Sequence, residues 1–244
     1  MRFSILACLP LLAVTALPQD VVVEDYPSTC KDACKAVNYK CDSKCICQNK
    51  MLGPSKFENK NPALKRVFDS YKALAPKCPL DWLNTSTNWN QTHEDVKYHY
   101  PGDNGFVKGT KKPGSPKVGD IVDRIGKPYG GFLAPALTPW NQRSIPGGNL
   151  NYRKENPPYN YFAYKVAHPF NACEGKIAPA FEQPGQGTQW YIPGGGDVLK
   201  PLVTNGTLQP VVPWLDEKGG VVWLEIGLMV QPDEATEELD YMYH

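Results

Sequence analysis

Cys30, Cys34, Cys41, Cys45, Cys47 and Cys78 lie within one short stretch near the start of the chain, and no other feature restricts the fold as much. Ahead of them, Met1-Arg2 leads an apolar run from Ile5 to Leu17, with small residues at Ala13 and Ala16 before polar Gln19-Asp20. This reads as a secretory signal peptide over residues 1–17, too short to anchor the chain in a bilayer. An exported chain meets oxidising conditions, so the cluster is expected to form disulfides, although Cys41-x-x-x-Cys45-x-Cys47 could pass for a metal knuckle. Removing the leader takes Cys8 with it and leaves an odd number, and Cys173, remote from the rest, is the expected unpaired thiol.

The texture changes along the chain. Residues 18–117 are expected to form a small disulfide-rich cap with one helix: Asn61 caps it, Pro62 takes the first turn, Leu64, Val67, Phe68, Tyr71 and Ala75 form its apolar face, and Pro76 stops it. Cys78 follows at once, so a disulfide should tie this helix to the Cys30–Cys47 region. The lysines of 108–117 sit among Gly109, Pro113 and Gly114 and read as a solvated linker. Beyond Gly119, short apolar or alternating runs are separated by Pro and Gly, which predicts strands at 121–124, 161–167, 189–192, 211–214 and 221–230. The 24 prolines and 21 glycines argue against a helical bundle. The expected class is α+β, mainly β, with a compact catalytic domain over residues 118–215 and an extension over 216–244 that ends in an acidic tail.

Several functions are disfavoured. A formal net charge of +1 gives no field for nucleic acid and no basic patch for a membrane surface. No phosphate loop, GxGxxG, HExxH or GxSxG motif occurs, and His93, His99, His168 and His244 lack metal-ligand spacing. Three glycosylation sequons, at Asn84, Asn90 and Asn205, accord with export.

The candidate site lies in the second half. Phe181 to Trp190, FEQPGQGTQW, sets Pro184, Gly185 and Gly187 among polar amides, which predicts a tight turn that backbone or ligand can approach closely. Gln189 would then open a strand at the mouth of that turn. Three further segments carry chemistry: Asp123-Arg124-Ile125-Gly126, Tyr129 to Pro135 (YGGFLAP), and Trp140 to Ser144 (WNQRS). The order and spacing of these blocks resemble the tuberculosis necrotizing toxin family of NAD glycohydrolases, with the nearest likeness to fungal surface NADases. The likeness to the toxin domain covers about residues 118–210, and with the fungal enzymes it extends upstream through Tyr98-x-Tyr100-Pro101 and Asn104-Gly105-Phe106 to Cys30, Cys34, Cys47 and Cys78. Cys41 and Cys45 look additional, and the pattern does not align beyond about residue 210.

The resemblance implies cleavage of the bond between nicotinamide and ribose of NAD+, with NADP+ also open as substrate. It implies that Gln189 and Arg124 serve turnover, that Arg124 and Arg143 hold phosphates or riboses, and that Phe132 packs against a ring, with Tyr129 a further substrate contact. These roles suit the side chains, since guanidinium presents a planar fork to phosphate and an aromatic face attracts a pyridinium cation. No cofactor is required, because NAD+ is consumed. The fungal relatives imply a homodimer and a structural calcium ion near the C-terminus, where Asp233, Glu234, Glu237, Glu238 and Asp240 offer oxygen ligands without EF-hand spacing. Two other readings are an ADP-ribosyltransferase, in which Glu182 would be catalytic, and a non-catalytic secreted adhesion or effector protein.

Overall fold

The computed structural model describes residues 27–226, apart from 42–43, 56–60, 90–91, 93, 152 and 154–157. The expected signal peptide, the carboxylate-rich tail and Asn90 lie outside the described residues. Asn84 and Asn205 are exposed, as sequon positions should be.

Among the described residues, eight antiparallel strands form one sheet: β1 (Lys112–Pro113), β2 (Ile121–Ile125), β3 (Phe132–Pro135), β4 (Tyr161–Val166), β5 (Cys173–Lys176), β6 (Thr188–Tyr191), β7 (Leu208–Leu215) and β8 (Val221–Glu225). Their spatial order is β1-β5-β6-β3-β2-β4-β7-β8. Three short described α-helices accompany them, α1 (Lys65–Phe68), α2 (Pro79–Ser86) and α3 (Leu199–Thr204). The class is α+β and mainly β, as expected.

The predicted helix proves short. Asn61 Oδ1 caps it by accepting from the Ala63 N–H at 2.9 Å, but after one 3-10 turn α1 ends at Phe68. Tyr71 leaves helical register to set its ring edge-on to Trp140, with centroids 5.0 Å apart, so tertiary packing overrides a local apolar pattern. Ala75 takes a φ of 50°, which a helix cannot hold. The 108–117 segment is more than a linker, since Lys112 and Pro113 pair with Glu174 and Cys173 to add a strand at the sheet's edge.

All six clustered cysteines are bonded: Cys30–Cys78, Cys34–Cys47 and Cys41–Cys45, which leaves Cys173 free among the described residues. Cys30–Cys78 ties the start of α2, rather than the shorter α1, to the cap. One hydrophobic core crosses the boundary expected at residue 117. Val37, Leu52, Leu64, Val67 and Trp82 pack in the same cluster as Trp140, Leu150, Tyr161, Phe181 and Val211. A smaller cluster on the other side of the sheet joins Val122, Leu133, Tyr164, Trp190 and Leu199. The cap is therefore held to the sheet by shared apolar burial, the largest favourable contribution to folding, as well as by the chain itself.

A candidate active-site cleft

Strand β2 pairs with β3 only through Val122 and Asp123, opposite Pro135 and Ala134. Beyond Asp123 the two strands part, and a cleft of about 630 Å³ opens there. Arg124, Phe132, Arg143 and Gln189 all line it, so four residues scattered through the sequence converge on one space. The volume falls in the range usual for small-molecule sites.

Arg124 holds the parted strands. Its Nη1 donates to the carbonyls of Gly130 and Phe132, the latter at 2.9 Å, in place of ladder bonds that the divergence removes. The turn must come close to do this, since a Cβ at Gly130 would lie 2.6 Å from Arg124 Nη2. Burial pushes the guanidinium down to about 10, against the opposing pull of Tyr164 and Asp197, which leaves it charged at neutral pH.

Strand alternation explains Phe132 and Gln189. Phe132 pairs with Tyr191, and Gln189 lies two residues before Tyr191 on β6, so the ring and the amide share a sheet face. Phe132 is 44% exposed and its ring rests against that of Tyr191, with centroids 4.9 Å apart. Gln189 is only 8% exposed, and its Nε2 donates to the Asn104 carbonyl at 2.9 Å. A carbonyl can accept only from the nitrogen end of an amide, which fixes the side chain's sense and leaves Oε1 as an acceptor in the cleft wall.

Arg143 departs from expectation. Its Nη1 and Nη2 donate to Asp123 Oδ1 and Oδ2 at 2.6 and 2.8 Å, and its Nε donates to the Thr138 carbonyl at 2.8 Å. Asp123 is fully buried and also accepts from the Tyr161 hydroxyl and the Leu137 N–H, at 2.8 and 2.9 Å. The fork expected to grip phosphate instead grips a carboxylate, so this pair builds the cleft wall and adds little net charge to it. The bidentate geometry is the one guanidinium and carboxylate favour.

Three further expectations change. Tyr129 is not among the residues lining the cleft. It packs against the smaller core, with Lys200 Nζ 6.0 Å from its ring centroid. Glu182 also lies away from the cleft lining and is paired with Lys77 at 2.7 Å. The glycines of FEQPGQGTQW approach the protein's own backbone rather than the cleft. A Cβ at Gly185 would meet the Ile177 carbonyl at 2.6 Å, and one at Gly187 would meet the Gln142 carbonyl at 2.6 Å. The turn braces the loop that carries Arg143: Gly187 N–H donates to Gln142 at 3.2 Å and Gln183 Nε2 donates to Ile145 at 2.9 Å. Gln189 is the one residue of that motif in the cleft lining.

Sequence reasoning left Tyr100, Pro101, Asn104 and Ser144 without site roles, yet all four line the cleft. Ser144 Oγ is buried there without a hydrogen-bond partner. The upstream Tyr98-x-Tyr100-Pro101 and Asn104-Gly105 blocks carried the signal for the first three. Among the described residues no cluster of three or more His, Cys, Asp or Glu is arranged to hold a metal ion, and the carboxylates weighed for calcium lie outside them.

A family model described as tuberculosis necrotizing toxin matches residues 117–211. The conidial surface nicotinamide adenine dinucleotide glycohydrolase nadA of Aspergillus fumigatus is 34% identical over 195 residues, covering 77% of this chain and 81% of that protein. Among solved structures, tuberculosis necrotizing toxin complexed with its immunity factor IFT is similar at a TM-score of 0.48 and 21% identity, covering 61% of this chain and 82% of that one. The Aspergillus relative aligns along most of both chains and the toxin model spans β2 to β6, the strands that build the cleft; the chain belongs to the tuberculosis necrotizing toxin family, alongside fungal surface NAD glycohydrolases.

Proposed function

We propose that this chain is an NAD+ glycohydrolase that breaks the bond between ribose C1′ and the nicotinamide nitrogen, giving nicotinamide and ADP-ribose. One observation carries the reading of the site. Gln189, with its amide sense fixed by Asn104, lines the same cleft as Arg124 and Phe132.

The chemistry needs little from the protein's acids. The pyridinium nitrogen already bears positive charge, so nicotinamide takes the bonding pair and leaves neutral. Ribose C1′ becomes oxocarbenium-like, water adds its oxygen there, and the water's proton passes to solvent. An acceptor held beside that ribose steadies the developing cation through its hydroxyls, or orients the incoming water, and Gln189 Oε1 is preorganised for such a role. Arg124 supplies a cation for the pyrophosphate. Phe132 offers an exposed face for a ring. Binding through these remote groups positions the reacting bond.

The transferase reading draws no support from Glu182, whose carboxylate is tied to Lys77 outside the cleft. Three disulfides favour a place of action outside the cell or on its surface. No described helix is long and apolar enough to cross a membrane. The test is incubation of purified protein with NAD+ and chromatography of the products. Equimolar nicotinamide and ADP-ribose without a protein acceptor support the reading, and unchanged NAD+ refutes it.

A further inference from the structure

Tyr100 stands out among the large apolar side chains because it is 57% exposed while lining the cleft. A ring of this size gains substantially by burial. The Tyr100 ring is also buttressed. Phe181 meets it edge-on with centroids 5.3 Å apart, and Tyr98 does so at 5.8 Å. Both supporting rings are set in the core: Phe181 is buried in the main cluster, and the Tyr98 hydroxyl donates to the Met51 carbonyl at 3.1 Å. Pro101 follows in the cleft lining and restrains the backbone there. A braced, half-bare ring in a cleft has the form of a stacking platform.

The segment that bears it reaches Gln189. Asn104 and Gly105 also line the cleft, and the Asn104 carbonyl sets the sense of the Gln189 amide. Tyr100, Pro101, Asn104 and Gly105 thus line the cleft from before β1, together with residues supplied by the sheet. We propose that Tyr100 is a substrate-binding residue that stacks against a planar heteroaromatic base of the dinucleotide, so that the part of the chain preceding the sheet completes the site. This rests on the glycohydrolase reading above. The chemistry is shared by two parts of the substrate, the nicotinamide and the adenine.

Equilibrium binding tests it without requiring turnover. Titration calorimetry would measure ADP-ribose, which carries adenine only, and nicotinamide mononucleotide, which carries nicotinamide only, on wild type, Tyr100→Leu and Tyr100→Phe. Leucine keeps apolar contact with Phe181 and Tyr98 but has no π-face, whereas phenylalanine keeps the ring. Loss of a base-stacking partner should weaken binding about tenfold. Weaker ADP-ribose binding by Tyr100→Leu, restored by Tyr100→Phe, assigns the platform to adenine, and the same result with the mononucleotide assigns it to nicotinamide. Unchanged affinity of Tyr100→Leu for both ligands overturns the proposal. Absence of both ligands from wild type, with no nicotinamide released, overturns the parent reading as well.

Discussion

The ion pair between Asp123 and Arg143 should be the most costly ion pair among the described residues to break, because its partners are so deeply buried. Arg143→Met keeps an unbranched apolar side chain of similar length but removes two donors from Asp123 and one from the Thr138 carbonyl. Asp123, at 0% exposure, would retain only the Tyr161 hydroxyl and the Leu137 N–H. Leaving one charge of a buried pair unpartnered costs about 3–5 kcal/mol, a large share of the roughly 5–15 kcal/mol that holds a typical domain folded. Removing both charges in Asp123→Asn/Arg143→Met should cost less than the sum of the single changes, with a coupling of about 1–3 kcal/mol. Urea denaturation followed by tryptophan fluorescence measures this, and fully buried Trp140, in the turn that carries Arg143, is a local probe. A loss below about 1 kcal/mol for Arg143→Met, or simple additivity in the cycle, would refute the view that this pair frames the cleft.

Other outcomes follow from separate contacts. Gly130→Ala places a Cβ 2.6 Å from Arg124 Nη2, so the guanidinium must move, and calorimetry should show at least several-fold weaker ADP-ribose binding with unchanged circular dichroism. Loop-closure entropy gives Cys30–Cys78, with a sequence separation of 48, about 4 kcal/mol of stabilisation, and Cys41–Cys45, with a separation of 4, about 2 kcal/mol. Paired alanine replacements compared by thermal melting should therefore rank in that order. Cys173 is the free cysteine among the described residues, so thiol titration of the denatured, leaderless chain should count one thiol, and none in Cys173→Ser.

The strands that read well from sequence were those with long apolar or alternating runs, such as Tyr161–Val166 and Leu208–Leu215. The ones that did not were short and carried residues that strands usually avoid: Lys112–Pro113, Phe132–Pro135 with its terminal proline, and Cys173–Lys176 with Gly175. Helix α2 had a usable signal, Pro79 in its first turn and Asp81 beside it, that the nearby cysteines overshadowed. Residue identities at the site were legible through spaced motifs. Their partnerships were not, because they depend on strand register and on contacts between distant segments. Arg143 meets Asp123 across 20 positions and Gln189 meets Asn104 across 85, and no local pattern encodes either bond. The same limit explains why the glycines of the FEQPGQGTQW turn suggested a ligand when they admit neighbouring backbone instead.

The oriented amide of Gln189 is the centre of the account, and turnover of a fluorescent etheno-NAD+ analogue by wild type and Gln189→Ala tests it most directly. Alanine removes the acceptor and leaves the Asn104 carbonyl without its donor, a modest structural loss of about 1 kcal/mol. The turnover rate should fall on the order of 100-fold while the far-UV spectrum and ADP-ribose affinity change little. A folded Gln189→Ala protein that cleaves the analogue at nearly the wild-type rate would contradict the account.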